Sequence, residues 1–243
     1  MIPLVIAHRG ASALASHENT LEAFQIAIQL QADYAEFDIR RTKDRQLIAF
    51  HNPSLNDRPI RELTYQNLCS ITASDGYRIP RLEEVLELCR GKIKLDIELK
   101  ESGYEQDVVN LVQRYYDYSD YMMKSFLDRC VLHIKEIDPN IQAGLLIGNT
   151  RNTLVHRLNE YFPIHRLLTC KADFISPYYQ FVTREFVWRM HLHKKQIYVW
   201  TVNEPERIQK LMKRQVDGII TDRPDLALQL RSEYNKKKHR KES

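Results

Sequence analysis

The chain has 243 residues, a formal net charge of +4 and a hydrophobic fraction of 43%, which fits one globular domain with an ordinary core. Its four cysteines are widely spaced and include no CxxC pair, so the sequence argues against a disulfide framework and against a cysteine zinc site. Its seven glycines include no glycine-rich phosphate loop, which argues against a P-loop nucleotide site.

Apolar runs of strand length alternate along the chain with segments of helical periodicity. The predicted strands are Pro3–His8, Tyr34–Ile39, Ile93–Leu99, Tyr121–Ser125, Gln142–Ile147, Ala172–Ser176, Gln196–Thr201 and Asp217–Thr221. The helical patterns include Thr20–Leu30, Leu82–Cys89, Tyr104–Tyr115, Cys130–Ile137, Arg184–His193 and Pro205–Lys213. Eight strands separated by helices predict a closed (β/α)8 TIM barrel, and an open, doubly wound sheet is the alternative.

A further strand-like run, Leu47–His51, begins only a few residues after the second strand. Because a parallel crossover needs a much longer connection, this run predicts a β-hairpin. If Asp44–Arg45 is the centre of the turn, Asp38 faces His51 across the hairpin. Glu36 then lies on the same face as Asp38, because side chains alternate along a strand.

His8 closes the first predicted strand, at the end of the barrel where active sites lie. Its imidazole can accept or donate a proton at physiological pH. The planar fork of Arg9 suits a phosphate, and Gly10 allows a sharp backbone turn. Taken alone, a histidine at such a position is more commonly a hydrogen-bonded structural residue.

Glu36 and Asp38 place two carboxylates on one face of the second strand. Two carboxylates directed into a barrel lumen repel each other unless a cation lies between them. Mg²⁺ and Ca²⁺ prefer such oxygen ligands, so the pair indicates a metal site. The alternative is a solvated strand edge on which arginines such as Arg40 pair with the acids.

The stretch Lys94–Lys100 repeats this alternation. Glu98 lies nearer the carboxyl end of the strand and is the candidate for a third ligand. Asp96 lies deeper and is expected to make a structural hydrogen bond. Lys100, farther up the strand, is placed to meet a phosphate oxygen.

Three other positions have two interpretations each. Asn19 either caps the first helix or supports the site. Trp200 either forms a wall for a small polyol at the mouth of the barrel or packs in the core. Asp222, at the end of the eighth strand, is interpreted as a structural cap of the last helix.

Nine segments, in this order along the chain, resemble the glycerophosphodiester phosphodiesterase family. They are His8-Arg9-Gly10, Glu18-Asn19-Thr20-Leu21, Glu36-x-Asp38, Thr42-Lys43-Asp44, His51, Ile79-Pro80-Arg81-Leu82-Glu83-Glu84-Val85-Leu86, Asp96-Ile97-Glu98-Leu99-Lys100, Trp200-Thr201-Val202-Asn203 and Gly218-Ile219-Ile220-Thr221-Asp222-Arg223-Pro224. The resemblance covers almost the whole chain and leaves only the basic tail outside.

The resemblance implies a phosphatidylinositol-phospholipase-C-like barrel that hydrolyses glycerophosphodiesters to an alcohol and sn-glycerol 3-phosphate. It implies one divalent cation, Mg²⁺ or Ca²⁺, and a histidine acid–base pair. The implied roles fall on eight positions: metal ligands Glu36, Asp38 and Glu98, catalytic His8 and His51, and substrate-binding Arg9, Lys100 and Trp200. Two alternatives remain: a lysophospholipase-D-like activity on lysophospholipids at membranes, and a non-catalytic binding module on the same fold.

Three positions depart from the family pattern. His17 stands where the family usually has proline, and Arg45 where it usually has glycine. Both are expected to alter only loop geometry. Asn52 replaces an aspartate after His51, which removes a negative charge near the proposed acid–base pair and is expected to change the rate or the pH optimum.

The expected organisation is one barrel domain over residues 1–230, with a small, irregular insertion at about 52–81, and a basic tail over 231–243. The sequence has neither a signal peptide nor an apolar run of the ~18 residues that span a membrane, which predicts a cytoplasmic protein. The expected partner is a small glycerophosphodiester; membrane contact through the tail is allowed but not required, and no nucleic-acid partner is expected. The sequence leaves the oligomeric state open.

Overall fold

The protein is described by a computed structural model that covers residues 2–148 and 162–242. Its strands are β1 (Leu4–Ala7), β2 (Tyr34–Arg41), β3 (Leu47–Ala49), β4 (Ser54–Leu55), β5 (Arg58–Pro59), β6 (Lys94–Leu99), β7 (Tyr121–Ser125), β8 (Ala143–Ile147), β9 (Phe174–Pro177), β10 (Gln196–Val199) and β11 (Gly218–Thr221). The α-helices in these ranges are α1 (Leu21–Gln29), α2 (Tyr65–Ala73), α3 (Leu82–Cys89), α4 (Glu105–Val112), α5 (Asp128–Ile137), α6 (Ile164–Thr169), α7 (Arg184–Leu192), α8 (Pro205–Lys213) and α9 (Pro224–Glu242).

Eight parallel strands form a closed barrel. They pair in the order β1, β2, β6, β7, β8, β9, β10, β11, and β11 returns to β1 with Leu4 opposite Gly218 and Ala7 opposite Thr221. The predicted (β/α)8 TIM barrel is therefore confirmed, and the open sheet is excluded. All carboxyl ends of these strands meet at one rim, where the strand-end residues of the sequence motifs converge.

The main core lies between the barrel and its helices, as strand alternation requires. Helix α1, for example, buries Ala23, Phe24 and Ala27, and the Phe24 ring packs edge-on against Phe37 of β2, with ring centroids 5.6 Å apart. A second apolar cluster fills the lumen. It consists of Ile6, Met122, Phe174, Tyr198 and Ile220.

The lumen depends on one small residue of β8. A Cβ on Gly144 would lie 2.0 Å from the ring of Phe174, closer than real carbon atoms approach. Glycine at this position therefore lets the Phe174 ring fill the space inside the barrel.

Strands β2 and β3 form the predicted hairpin, but the predicted register is wrong by one residue. Arg40 lies opposite Ile48, and Arg41 lies opposite Leu47. The cause is Arg45, whose φ of 62° is left-handed, so the loop holds three residues instead of two. In this register the backbone N–H of Phe50 donates to the carbonyl of Asp38 at 2.9 Å, and the predicted pairing of Asp38 with His51 does not occur.

The insertion after β3 is more regular than expected. Strands β4 and β5 pair as a second small hairpin, and α2 begins with a capping box between Thr64 and Asn67. The insertion has its own apolar cluster, which includes Ile48, Ile60, Leu63, Leu68 and Ile79. The prediction that this segment is irregular was wrong, because a capped helix and a local core order it.

Helix α9 runs continuously from Pro224 to Glu242. Residues 231–242, which were predicted to form a separate tail, therefore continue the helix that begins in the barrel domain. The domain boundary at residue 230 stays a prediction. In the part of the chain that the structure describes, no helix combines the length and the apolar composition that crossing a membrane requires.

Candidate functional site

A pocket of about 910 Å³ opens at the rim formed by the carboxyl ends of the strands. Seven of the eight predicted site residues line it: His8, Arg9, Glu36, His51, Glu98, Lys100 and Trp200. The eighth, Asp38, is buried and belongs to a carboxylate cluster with Glu36 and Glu98. The structure therefore brings all eight predicted residues to one place.

The carboxylate cluster is produced by the pairing of β2 with β6. These strands are parallel, and Asp38 lies opposite Glu98. One carboxylate oxygen from each of Glu36, Asp38 and Glu98 lies within 4.8 Å of the other two. Because these side chains are buried, the alternative of a solvated strand edge is excluded.

The electrostatics of the cluster suit a bound cation. Burial, together with the neighbouring Asp38 and Glu36 carboxylates, raises the pKa of Glu98 to about 7 against the opposing effect of Lys100. Burial would also raise the pKa of Asp38, but the charges of Lys100 and Arg9 hold it well below its ordinary value. Three crowded carboxylate groups are hard oxygen donors, and this donor set fits Mg²⁺ or Ca²⁺.

Two basic side chains reach the cluster from the pocket side. Lys100 Nζ lies 2.6 Å from Glu98 Oε1 and 3.1 Å from Asp38 Oδ1. Arg9 Nη1 donates to Glu18 Oε1 at 2.8 Å, and Arg9 Nε lies 3.3 Å from Asp38 Oδ2. Both predicted phosphate-binding residues thus lie beside the carboxylates, and the guanidinium of Arg9 is shared with Glu18.

His8 is held by an aspartate from the other end of the chain. Its Nδ1 lies 2.6 Å from Asp222 Oδ1, and its Nε2 lies 4.0 Å from Glu36 Oε2. Burial lowers the pKa of His8, but the hydrogen bond to Asp222 and the charge of Glu36 outweigh burial and raise it. Asp222 also accepts hydrogen bonds from Ser12 Oγ and Asn203 Nδ2, so it is fixed in place. The interpretation of Asp222 as only a helix cap was incomplete.

His51 occupies a different environment. The hairpin ladder ends at Ala49, and the carbonyl of His51 accepts a hydrogen bond from Arg40 Nε at 2.9 Å. Burial and the positive charges of Lys100 and Arg9 lower the pKa of His51, although Asp38 opposes them. Its Nδ1 lies 3.0 Å from Asn52 Oδ1. The residue that departs from the family pattern is therefore in direct contact with the imidazole.

Asn19 supports the carboxylate cluster. Its Nδ2 donates to Asp38 Oδ2 at 2.9 Å, and its Oδ1 accepts the backbone N–H of Asp38 at 3.3 Å. The cap of α1 is the next residue, Thr20. Of the two interpretations of Asn19, contact with the site is the one that the structure shows.

Lys124 on β7 was missed from the sequence. It is 1% exposed, and its Nζ lies 2.6 Å from Asp96 Oδ2 and 3.3 Å from Glu36 Oε1. Asp96 thus makes the buried polar contact expected of it. The available signal was a lone lysine in the otherwise largely apolar run Tyr121–Ser125, because an isolated charge in a buried strand needs a partner.

The far side of the pocket is aromatic. The ring of Trp200 lies 5.3 Å from Tyr178 and 5.5 Å from Phe126, measured between centroids. Trp200 Nε1 donates to the carbonyl of Ser176 at 2.8 Å, which fixes the indole at the rim. The pocket therefore combines a charged half with an aromatic half.

Comparisons with known proteins agree with this site. Residues 8–226 match the model of the glycerophosphoryl diester phosphodiesterase family. The chain is 30% identical over 250 residues to a glycerophosphodiester phosphodiesterase of Bacillus altitudinis, covering 94% of this chain and 98% of the relative.

Solved structures give the same result for the fold. A glycerophosphodiester phosphodiesterase of Thermotoga maritima has a TM-score of 0.77 at 27% identity, over 94% of this chain and 98% of that chain. A phosphodiesterase of Oleispira antarctica, solved with the product sn-glycerol-3-phosphate, has a TM-score of 0.80 at 21% identity, over 94% and 96% of the two chains. By the near-complete match to the family model, the chain belongs to the glycerophosphoryl diester phosphodiesterase family and is a phosphodiesterase of that family.

Proposed function

We propose that this chain hydrolyses glycerophosphodiesters to an alcohol and sn-glycerol 3-phosphate, with one divalent cation, Mg²⁺ or Ca²⁺, and with His8 and His51 as the acid–base pair. One observation carries the proposal: a single pocket contains two imidazoles, four lysine or arginine side chains (Arg9 and Lys100 among them) and two carboxylates of a buried three-carboxylate cluster. The product bound to the Oleispira antarctica phosphodiesterase, which shares this fold, supports the choice of substrate class.

The cation would be held by Glu36, Asp38 and Glu98, whose oxygens converge in the cluster. When bound, it would polarise a phosphoryl oxygen and neutralise the charge that develops there. Lys100 and Arg9 lie beside the same cluster and would attract the anionic phosphate group into it.

The histidines would move the two protons of the reaction. One imidazole takes the proton from the attacking hydroxyl as its oxygen bonds to phosphorus, and the other gives a proton to the alcohol oxygen as its bond to phosphorus breaks. The attacking group is either water or the glycerol hydroxyl of the substrate. The second route gives a cyclic glycerophosphate, whose ring a water molecule then opens to release sn-glycerol 3-phosphate. Trapping a cyclic glycerophosphate during turnover would support the second route.

The substrate's carbon skeleton would lie against the aromatic half of the pocket. Trp200, Tyr178 and Phe126 line that half, and their rings offer apolar surface to a glycerol or alcohol group. Trp200 is the predicted substrate contact among them.

The test is a release assay. The purified chain is incubated with the glycerophosphodiesters of choline, ethanolamine, inositol and glycerol, each with Mg²⁺, Ca²⁺ or EDTA, and sn-glycerol 3-phosphate is measured. We expect release with at least one ion and none in EDTA. Equal release in EDTA would contradict the proposed cation dependence, and no release from any of the four diesters with either ion would contradict the proposed substrate class.

A further inference from the structure

Lys124 connects the candidate cation site to the interior of the barrel. In the strand register it lies opposite Glu98, yet its ammonium group contacts Asp96 and Glu36. Asp96 and Glu36 lie opposite each other on β6 and β2. The lysine side chain therefore extends from β7 to a carboxylate on the neighbouring strand β6 and to another on β2, one strand farther along the barrel.

The contacts of Lys124 divide the four lumen acids into two kinds. Glu36, Asp38 and Glu98 converge in the cluster. Asp96 is outside that cluster and fully buried, and one of its oxygens lies 2.6 Å from Lys124 Nζ. Its Oδ1 has no hydrogen-bond partner among the residues that the structure describes. A buried carboxylate outside the cluster needs a cation of its own, and Lys124 supplies it.

The Glu36 carboxylate is held at both oxygens. Its Oε1 lies 3.3 Å from Lys124 Nζ, and its Oε2 accepts the backbone N–H of Arg9 at 3.0 Å. These donors come from different parts of the barrel, so together they fix the orientation of the carboxylate group. Groups that orient a metal ligand in this way commonly change metal affinity 10- to 100-fold when they are mutated.

We propose that Lys124 is a positioning residue for the cation site: anchored by Asp96, its ammonium group holds the Glu36 carboxylate in the orientation in which it binds the ion. The proposal rests on the proposed cation dependence. Asp96 is then an anchor for Lys124 and not a ligand.

The test uses the double variant Lys124→Gln/Asp96→Asn in the full-length chain. It keeps two hydrogen-bonding side chains of similar size, leaves the net charge unchanged, and avoids a buried aspartate without a partner. Binding of Mg²⁺ and Ca²⁺ is measured by titration calorimetry, without substrate. We expect affinity to fall ~10- to 100-fold relative to the unmodified chain.

A matched control lies away from the pocket. Lys135 and Asp173 form a similar ion pair, with Nζ 2.7 Å from Oδ2 and an 8% exposed lysine side chain. The double variant Lys135→Gln/Asp173→Asn removes that pair, and we expect it to bind both ions as the unmodified chain does. Thermal unfolding in EDTA checks that each variant is folded.

If the Lys124 double variant does not fold, Asp96→Asn alone serves, because it removes only the anchor and should weaken cation binding several-fold. Unchanged or tighter binding in a folded Lys124 or Asp96 variant would overturn the proposal. An unmodified chain that binds neither ion would instead overturn the proposed cation site, and this role of Lys124 with it.

Discussion

The two imidazoles of the pocket experience opposite electrostatic surroundings. Asp222 and Glu36 raise the pKa of His8 against the effect of burial, whereas burial, Lys100 and Arg9 lower the pKa of His51. A proton donor and a proton acceptor at the same pH need such a difference. The contrast therefore supports distinct roles for the two histidines.

Removing either imidazole tests those roles. We expect His8→Ala and His51→Ala each to lower kcat by ~10²–10⁴-fold, the usual contribution of a positioned acid or base. His193→Ala is the control, because His193 is exposed after α7 and should leave kcat unchanged. Release of sn-glycerol 3-phosphate is the measurement, and full activity in either pocket variant would exclude that histidine from the reaction.

Asp222 is expected to act through His8. Asp222→Asn keeps the shape of the side chain but removes the charge beside Nδ1, so the orientation of the imidazole is less well defined and kcat should fall up to ~10²-fold. Asp225→Asn is the matched control, because Asp225 pairs with Arg223 at the start of α9. Equal kcat values for the two variants would contradict a positioning role for Asp222.

At the residue scale, local spacing predicted the acids but not their partners. The alternation of Glu36 with Asp38, and of Asp96 with Glu98, follows from the two-residue period of a strand. The contact between His8 and Asp222 joins residues 214 positions apart, and no local pattern encodes it. The partners of Lys124 also lie on other strands, so the lone lysine in Tyr121–Ser125 indicated a buried charge but not which acids it contacts.

At the scale of an element, the sequence pattern predicted that β2 and β3 form a hairpin but not the register in which they pair. The short connection predicted the hairpin, but the register depends on the backbone conformation of Arg45, whose φ is 62°. A residue other than glycine in the left-handed region is uncommon, so the sequence did not show that Arg45 would provide the left-handed position of a three-residue loop. In the insertion, the capped helix α2 was missed because its periodicity is weak next to that of the barrel helices.

Arg45→Gly tests this account of the turn. Glycine adopts a positive φ without a steric penalty, so we expect the free energy of unfolding to rise by about 0.5–1 kcal/mol. The ion pair of Arg45 with Asp107, at 3.9 Å on the surface, contributes little. Lys43→Gly is the control, because Lys43 does not have a positive φ, and this change should lower the free energy of unfolding. Chemical denaturation measures both variants. If Arg45→Gly lost as much stability as Lys43→Gly, the proposed backbone strain at Arg45 would be contradicted.

At the scale of the whole molecule, the fold was the most predictable feature. Eight strands separated by helices permit few arrangements, and a closed barrel is the commonest of them. The pairing of β1 with β11 that closes the ring follows from the count of strands and not from either strand alone. Weak or short elements, such as α6 with six residues, were not predicted, because their sequence patterns are weaker than those of the main strands and helices.

The proposed cation should also stabilise the folded barrel. Its three ligands come from β2 and β6 and do not converge in the unfolded chain, so an ion at 100 times its Kd should add ~2.7 kcal/mol to the free energy of unfolding. Thermal unfolding with Mg²⁺ or Ca²⁺, compared with EDTA, measures this effect. The Glu36→Ala variant should show a smaller ion-induced rise in Tm or none. If its rise in Tm were as large as that of the unmodified chain, the ion would bind at another site.

The meeting of His8 with Asp222 has a consequence for biosynthesis. His8 follows the first strand and Asp222 follows the last, and the two are brought together by the pairing of β1 with β11. A nascent chain that has left the ribosome only as far as β10 already carries both imidazoles and the three clustered acids, yet it lacks the aspartate that orients His8. Under the proposed mechanism, full turnover begins only after β11 and Asp222 have been translated and the ring has closed.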